Sequence, residues 1–228
     1  MFFSDHILDF FQHLEIKTTL PESVEVLNPY KDKDVFELCR QFYKKYYNDN
    51  AERTLILGIN PGRLGGGLTG IPFTDPLKLE KYCGIANSLQ RKAELSADFI
   101  YQVITEYGGP ESFYSKFYFS SVSPLGFTMN GKNLNYYDIR ELETTLRTFV
   151  VESITKTLKF GINTSVCYCL GEGKNFKFLN RLNDEQKFFN EIIPLPHPRF
   201  IMQYRRKGLP QYIGEYLLKL RGTINHYH

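Results

Sequence analysis

The chain has 228 residues, 42% of them hydrophobic, and a formal net charge of +3. That length suits one globular domain with a sizeable core, and no apolar run approaches the roughly 18 residues of a membrane span. So small a charge does not by itself mark a nucleic-acid partner; placement matters more than the sum.

The N-terminal stretch MFFSDHILDFFQHLEIK carries acids and has no basic segment ahead of a continuous apolar run. It is not read as a secretory leader, and a cytoplasmic protein is expected. The four cysteines, Cys39, Cys83, Cys167 and Cys169, form no CxxC pair. Reduced thiols are therefore expected, and zinc or iron–sulfur sites are not.

Residues 4–14 have helical spacing, with Ile7, Leu8, Phe11 and Leu14 on one face and Ser4 or Asp5 as cap. A loop with Pro21 and Pro29 follows. A second helix over 34–47 repeats Val35, Leu38, Phe42 and Tyr46. The run Thr54-Leu-Ile-Leu-Gly-Ile then breaks into Asn60-Pro61-Gly62 and the glycines Gly65 to Gly67, the pattern of a buried strand entering a loop. The three glycines are expected to keep side chains away from whatever lies there.

Residues 76–107 read as helical in two pieces, ended by Gly108-Gly109-Pro110. A second strand over 116–124 closes on Ser120, Ser121 and Ser123 before Pro124. A long amphipathic helix spans 138–158. A third strand, 165–170, leads through Gly171-Glu172-Gly173-Lys174 into another helix. A fourth strand, 191–196, ends in His197-Pro198-Arg199, and a final helix covers about 210–220.

Strands alternating with helices define an α/β fold: a three-layer α/β/α domain around a mostly parallel four-stranded sheet. One domain over 1–228 is expected, with a helical extension over about 1–50.

Ligands of an open parallel sheet bind outside the carboxyl ends of its strands. Asn60, Ser121 and His197 with Arg199 all fall at such ends, so they should converge on one rim. Gly171-Glu172-Gly173-Lys174 resembles a phosphate loop only in part: Tyr168 stands where the first glycine is required and Asn175 replaces the hydroxyl residue. A nucleotide triphosphatase is excluded on that pattern. The segment 197–207, HPRFIMQYRRK, interleaves Arg199, Arg205, Arg206 and Lys207 with Phe200, Ile201, Met202 and Tyr204 and contains no acid. It reads as a loop whose cations can meet phosphates and whose apolar side chains can wedge into a base stack.

Taken together, Gly58-Ile-Asn60-Pro-Gly62, Thr69-Gly-Ile-Pro-Phe73, Ser123-Pro-Leu125 and His197-Pro198 resemble the motifs of the uracil-DNA glycosylase superfamily. The likeness is nearest to its single-strand-selective monofunctional members, or a bacterial branch similar to them, and covers about residues 50–221. It implies a metal-independent, cofactor-free monomer that removes uracil or a related deaminated base from DNA. Asn60 would position the attacking water and His197 would stabilise the departing base. Gly62, Thr69, Gly70, Phe73 and Ser121 would surround that base, with Phe73 stacked on it, and Arg199, Phe200, Arg205, Arg206 and Lys207 would meet the DNA.

The chemistry is reasonable without the likeness. Breaking an N-glycosidic bond develops negative charge on the base, which fixed dipoles stabilise, and an amide orients water rather than deprotonating it.

Two departures from the family pattern stand out. Ser121 occupies the place of an asparagine that reads the pyrimidine edge, which leaves uracil, hydroxymethyluracil, xanthine and hypoxanthine all open. Arg199 follows His197-Pro198 directly where a Ser-Pro is usual, so the intercalating loop should be shorter or differently shaped. A non-catalytic binder of damaged or single-stranded DNA and a nucleoside-processing hydrolase on the same fold are the alternatives.

Overall fold

In a computed structural model, which describes residues 1–225, four parallel strands form the centre: β2 (Arg53–Gly58), β3 (Phe117–Ser121), β6 (Ile162–Leu170) and β7 (Glu191–Leu195), in the order β3-β2-β6-β7. Their C-terminal ends are level. Gly58 pairs with Ser121, Leu57 with Cys169, and Leu170 with Leu195. The three inferred polar strand ends therefore do share one rim.

Alternation along the strands directs two sets of apolar side chains to opposite faces. Ile56, Phe119 and Leu195 meet Ile100, Val103, Tyr216 and Leu220 from helices α5 (Leu95–Tyr107) and α10 (Leu209–Asn225). On the other face Tyr118 meets the rings of Phe3, Tyr43 and Phe160. Phe3 and Tyr43 come from α1 (Phe3–Gln12) and α2 (Lys33–Tyr46), while Phe160 follows α7 (Arg140–Leu158). The three-layer α/β/α arrangement and the parallel four-stranded sheet match the sequence reading.

Helix α2 begins where expected because the Asp32 carboxylate accepts from the N–H groups of Asp34 and Val35. Arg53 opens the central strand at 1% exposure. Its guanidinium donates to both oxygens of Asp49 and to the carbonyls of Ala51 and Tyr114, and it lies 5.6 Å and 5.5 Å from the ring centres of Phe3 and Tyr47. A buried cation is tolerated only when its donors are used in this way.

Four features differ from the sequence reading. Three strands have no counterpart in the sequence reading: β1 (Val24–Leu27), in the stretch read as a loop, and β4 (Gly126–Met129) and β5 (Lys132–Leu134), in a stretch given no element, form a separate antiparallel sheet ordered β1-β4-β5. Pro110 does not only end a helix; it starts the short α6 (Pro110–Tyr114) at a first-turn position where its missing N–H costs nothing. Residues 84–94, between α4 (Pro76–Cys83) and α5, are not helical. The segment after His197 is not a loop but helix α9 (Pro198–Tyr204), again with proline in the first turn.

Candidate active site

The rim of the sheet carries a cavity of about 880 Å³, with Asn60, Gly62, Phe73, Glu94, Asn135, Lys174, His197, Arg199 and Phe200 among its walls. Asn60 stands just past β2. Its Nδ2 donates to the Leu134 carbonyl at 3.1 Å, and its Oδ1 accepts from the Tyr136 N–H at 3.0 Å. The amide is thereby clamped in one orientation by the backbone on either side of Asn135. The same hairpin end holds the next turn, because Asn133 Oδ1 accepts from the Arg63 N–H at 3.1 Å.

His197 caps α9. Its Nδ1 accepts from the Arg199 N–H at 3.2 Å, which requires that nitrogen to be unprotonated and leaves the proton of the neutral ring on Nε2. Burial, with the Arg199 charge adding to it, pushes the imidazole down to about 4. At neutral pH it is an uncharged donor on the cavity wall.

Phe73 has a left-handed backbone, φ 55°, unusual for an aromatic residue. Its ring edge lies 2.7 Å from where a Cβ on Gly58 would stand, so only glycine lets it close over the strand end, and it sits 5.2 Å from the Phe119 ring. The turn is held by Thr69. Its hydroxyl, fully buried, donates to the Thr74 carbonyl at 2.6 Å and accepts from the Ile71 N–H at 3.1 Å.

Thr69 and Gly70, read as base-binding, thus lie behind the cavity. Gly70, at φ 73°, gives its carbonyl to the Tyr30 hydroxyl, and a Cβ there would stand 2.4 Å from Cys39 Sγ. Ser121 also stays off the cavity wall. It is 7% exposed, and its hydroxyl lies 3.4 Å from where a Cβ on Gly58 would stand.

The glycine run does not make room for a ligand at Gly65. A Cβ there would collide with Glu94 Oε2 at 2.1 Å, so the space is filled by the protein's own carboxylate. Glu94 went unnoticed in the sequence because it sits in a polar stretch with no motif around it. Burial pushes its carboxyl up to about 7; nearby Asp75 and Asp98 add to this, while the Ser96 hydroxyl and Arg199 oppose it.

Asn175 was seen only as a failed phosphate-loop position. It is 1% exposed, donates to the Leu170 carbonyl at 3.1 Å and accepts from the Tyr136 hydroxyl at 2.8 Å. It ties the end of β6 to the segment that clamps Asn60. Lys174, at the start of α8 (Lys174–Gln186), lies 5.8 Å from the Tyr137 ring centre on the cavity wall.

Of the expected DNA contacts, Arg199 and Phe200 line this cavity, whereas Arg205, Arg206 and Lys207 line an adjoining depression. All four cysteines are free and buried; burial raises the Cys167 thiol and takes that of Cys169 to about 12. Among the described residues no group of three His, Cys, Asp or Glu side chains is placed to hold a metal ion, and no helix is long and apolar enough to cross a membrane.

The strand ends of the parallel sheet thus gather a clamped asparagine, a neutral histidine and the Phe73 ring around one cavity. The family model described as the uracil DNA glycosylase superfamily matches residues 44–221, and the chain belongs to that family. It is similar to a solved structure, wild-type SMUG2 from Pedobacter heparinus, at 46% identity over 99% of both chains with a TM-score of 0.97. The likeness to the single-strand-selective monofunctional members extends to the whole chain, including the N-terminal extension. Comparison with curated protein sequences gives no match.

Proposed function

We propose that this protein is a monofunctional DNA glycosylase that hydrolyses the N-glycosidic bond of uracil or a related deaminated base, as a first step of base-excision repair. The observation that carries the reading is the state of His197. Its Nδ1 is occupied by a backbone N–H and its ring is held neutral, so Nε2–H is left to donate to a base oxygen as negative charge develops there. A neutral donor does not stabilise the intact base as strongly as a cation would. Its bond gains strength as the base becomes an anion, and that difference lowers the barrier.

Asn60 supplies the second part. With one hydrogen and one lone pair of its amide committed to the backbone, the remaining hydrogen and lone pair have fixed directions. They can hold a water in line with the anomeric carbon, although an amide is too weak a base to take its proton fully. Phe73 would stack on a base turned out of the helix, and Gly62 would allow the nucleotide backbone to lie close. Arg199 and Phe200, on the same wall as His197, would take the neighbouring phosphate and fill the vacated space.

The test is base release from oligonucleotides carrying uracil, hydroxymethyluracil, xanthine or hypoxanthine, single- and double-stranded, by wild type and His197→Gln. A glycosylase leaves an intact strand with an abasic site, and the variant is expected to lose about 100-fold or more in kcat. Tight binding without release from any substrate would make the chain a binder of damaged DNA instead.

A further inference from the structure

Another cavity, of about 750 Å³, lies between the end of α1, the segment 28–31 and one face of α7, and it shares no wall residue with the deep cavity. Its size is that of a small-molecule site.

A serine or threonine inside a helix often turns its hydroxyl back onto the carbonyl four residues earlier. Thr144, Thr155 and Thr157 of α7 do so, donating to the carbonyls of Arg140, Val151 and Ser153. Thr145, Thr148 and Ser153 do not. Their hydroxyls have no hydrogen-bond partner among the described residues, and all three stand on the cavity wall. Ser153 is only 5% exposed. A buried hydroxyl without a partner carries a desolvation cost that a polar group arriving from outside relieves.

The rest of the wall is divided between rings and charges. Phe10, Phe11 and Tyr30 are buried, with Tyr30 stacked 4.0 Å from Phe11, and they give the cavity an apolar floor. Lys31, Glu152 and Lys156 are exposed at its edge. None of the three has an ion-pair partner among the described residues, whereas Lys17, on the same wall, lies 3.8 Å from Glu15. A simple anion would be repelled by Glu152, and a simple cation by the lysines. A ligand with sugar hydroxyls for the carboxylate, a phosphate for the lysines and a flat, polar-edged ring for the floor satisfies every group.

We infer that this cavity binds a nucleoside monophosphate. The ring lies on the aromatic floor with its edge against Thr145, Thr148 and Ser153, Glu152 accepts from the ribose hydroxyls, and Lys31 and Lys156 hold the phosphate. The inference goes beyond the glycosylase reading and does not depend on it, because the two cavities are separate.

Titration calorimetry with AMP, UMP, their 2′-deoxy forms, the two free nucleosides and inorganic phosphate tests it. At least one ribonucleotide should bind wild type at a single saturable site, more tightly than its deoxy form, its nucleoside or phosphate. Ser153→Val should weaken that binding about tenfold, as loss of one buried hydrogen bond does. Lys156→Met should bring the nucleotide down toward the affinity of its nucleoside. Glu152→Gln should remove the preference for ribose over deoxyribose. The last two side chains are exposed, so these variants report even where Ser153→Val fails to fold. Arg199→Ala, in the deep cavity, should leave the binding unchanged.

No saturable binding of either ribonucleotide would overturn the site. So would phosphate alone binding as tightly as the nucleotide, equal affinity for ribose and deoxyribose forms in wild type, or a loss on Arg199→Ala with none on Lys156→Met.

Discussion

Glu94 and His197 should act on stability in opposite directions as pH changes, and Glu94→Gln exposes this. The folded state holds the Glu94 proton up to about 7, against 4.5 for a free carboxyl. Below 4.5 both states are protonated and the contribution is fully present; as pH rises toward 7 the unfolded chain has already released its proton, so stability falls. His197 behaves in the reverse sense. Its folded value of about 4 lies below the usual 6.5, so its contribution is fully present above 6.5 and is lost as pH falls toward 4.

Each slope is about 1.4 kcal/mol per pH unit within its window, roughly 3 kcal/mol in all for either group. Between 4.5 and 6.5 they nearly cancel. Glu94→Gln is isosteric against Gly65 and removes only the falling limb. Urea unfolding from pH 4.5 to 7 should show the variant gaining on wild type by about 1.4 kcal/mol per unit. A difference curve that is flat or slopes downward would mean that Glu94 is already ionised in the folded protein. Base release should in parallel stay level down to about pH 5, because the histidine remains neutral well below its usual range.

Asn60→Ala leaves the Leu134 carbonyl and Tyr136 N–H without their partner, which costs about 1–3 kcal/mol of stability. A kcat loss of about 100-fold or more with little change in DNA affinity is expected in single-turnover assays on the folded fraction. Gly58→Ala forces the Phe73 ring off the strand end, since the new methyl would stand 2.7 Å from it. A raised KM and a Tm lowered by several degrees should appear together, while Gly214→Ala, which meets no neighbour in the interior of α10, should leave KM unchanged and raise Tm through better helix propensity. Arg53→Leu strips donors from the Ala51 and Tyr114 carbonyls and should cost about 3 kcal/mol in urea unfolding, with activity per folded molecule unchanged. Arg199→Ala should flatten the salt dependence of DNA binding by about 1 in log–log slope, as removal of one phosphate contact does.

The parallel sheet was legible because its strands are short apolar runs that stop abruptly at polar residues, and a buried strand has no other way to end. The antiparallel sheet was missed although its signal was present. Asn130 and Gly131 join β4 to β5 with φ values of 51° and 70°, and Met129 pairs with Lys132 across a two-residue turn. Asn-Gly is the sequence signature of such a hairpin. Between strands this short, its flanks offered too little alternation to draw attention. That hairpin matters for the site: Asn133, Leu134 and Tyr136, at or just beyond its end, fix the loop and the amide of Asn60.

Helix α9 was hidden for a different reason. A cluster of basic and aromatic residues reads as a surface loop, whereas Pro198 at the first turn and the His197 ring accepting from the Arg199 N–H make it a capped helix.

Thr69 and Gly70 show why a motif can be legible while the task of each residue in it is not. A string that recurs beside a pocket invites the reading that every member touches the ligand. Here only Phe73 of the string from Thr69 to Phe73 lines the cavity. Thr69 spends its hydroxyl on backbone groups of the turn, and Gly70 gives room to Cys39 and Tyr30, both fully or nearly buried in the N-terminal part of the chain. The strained φ of Phe73 persists because these contacts over-determine the turn. The extension over the first fifty residues is consequently part of what holds the Phe73 ring in place. Tyr30, hydrogen-bonded to Gly70 and stacked 4.0 Å from Phe11, links helix α1 to a pocket that helix α1 itself does not line.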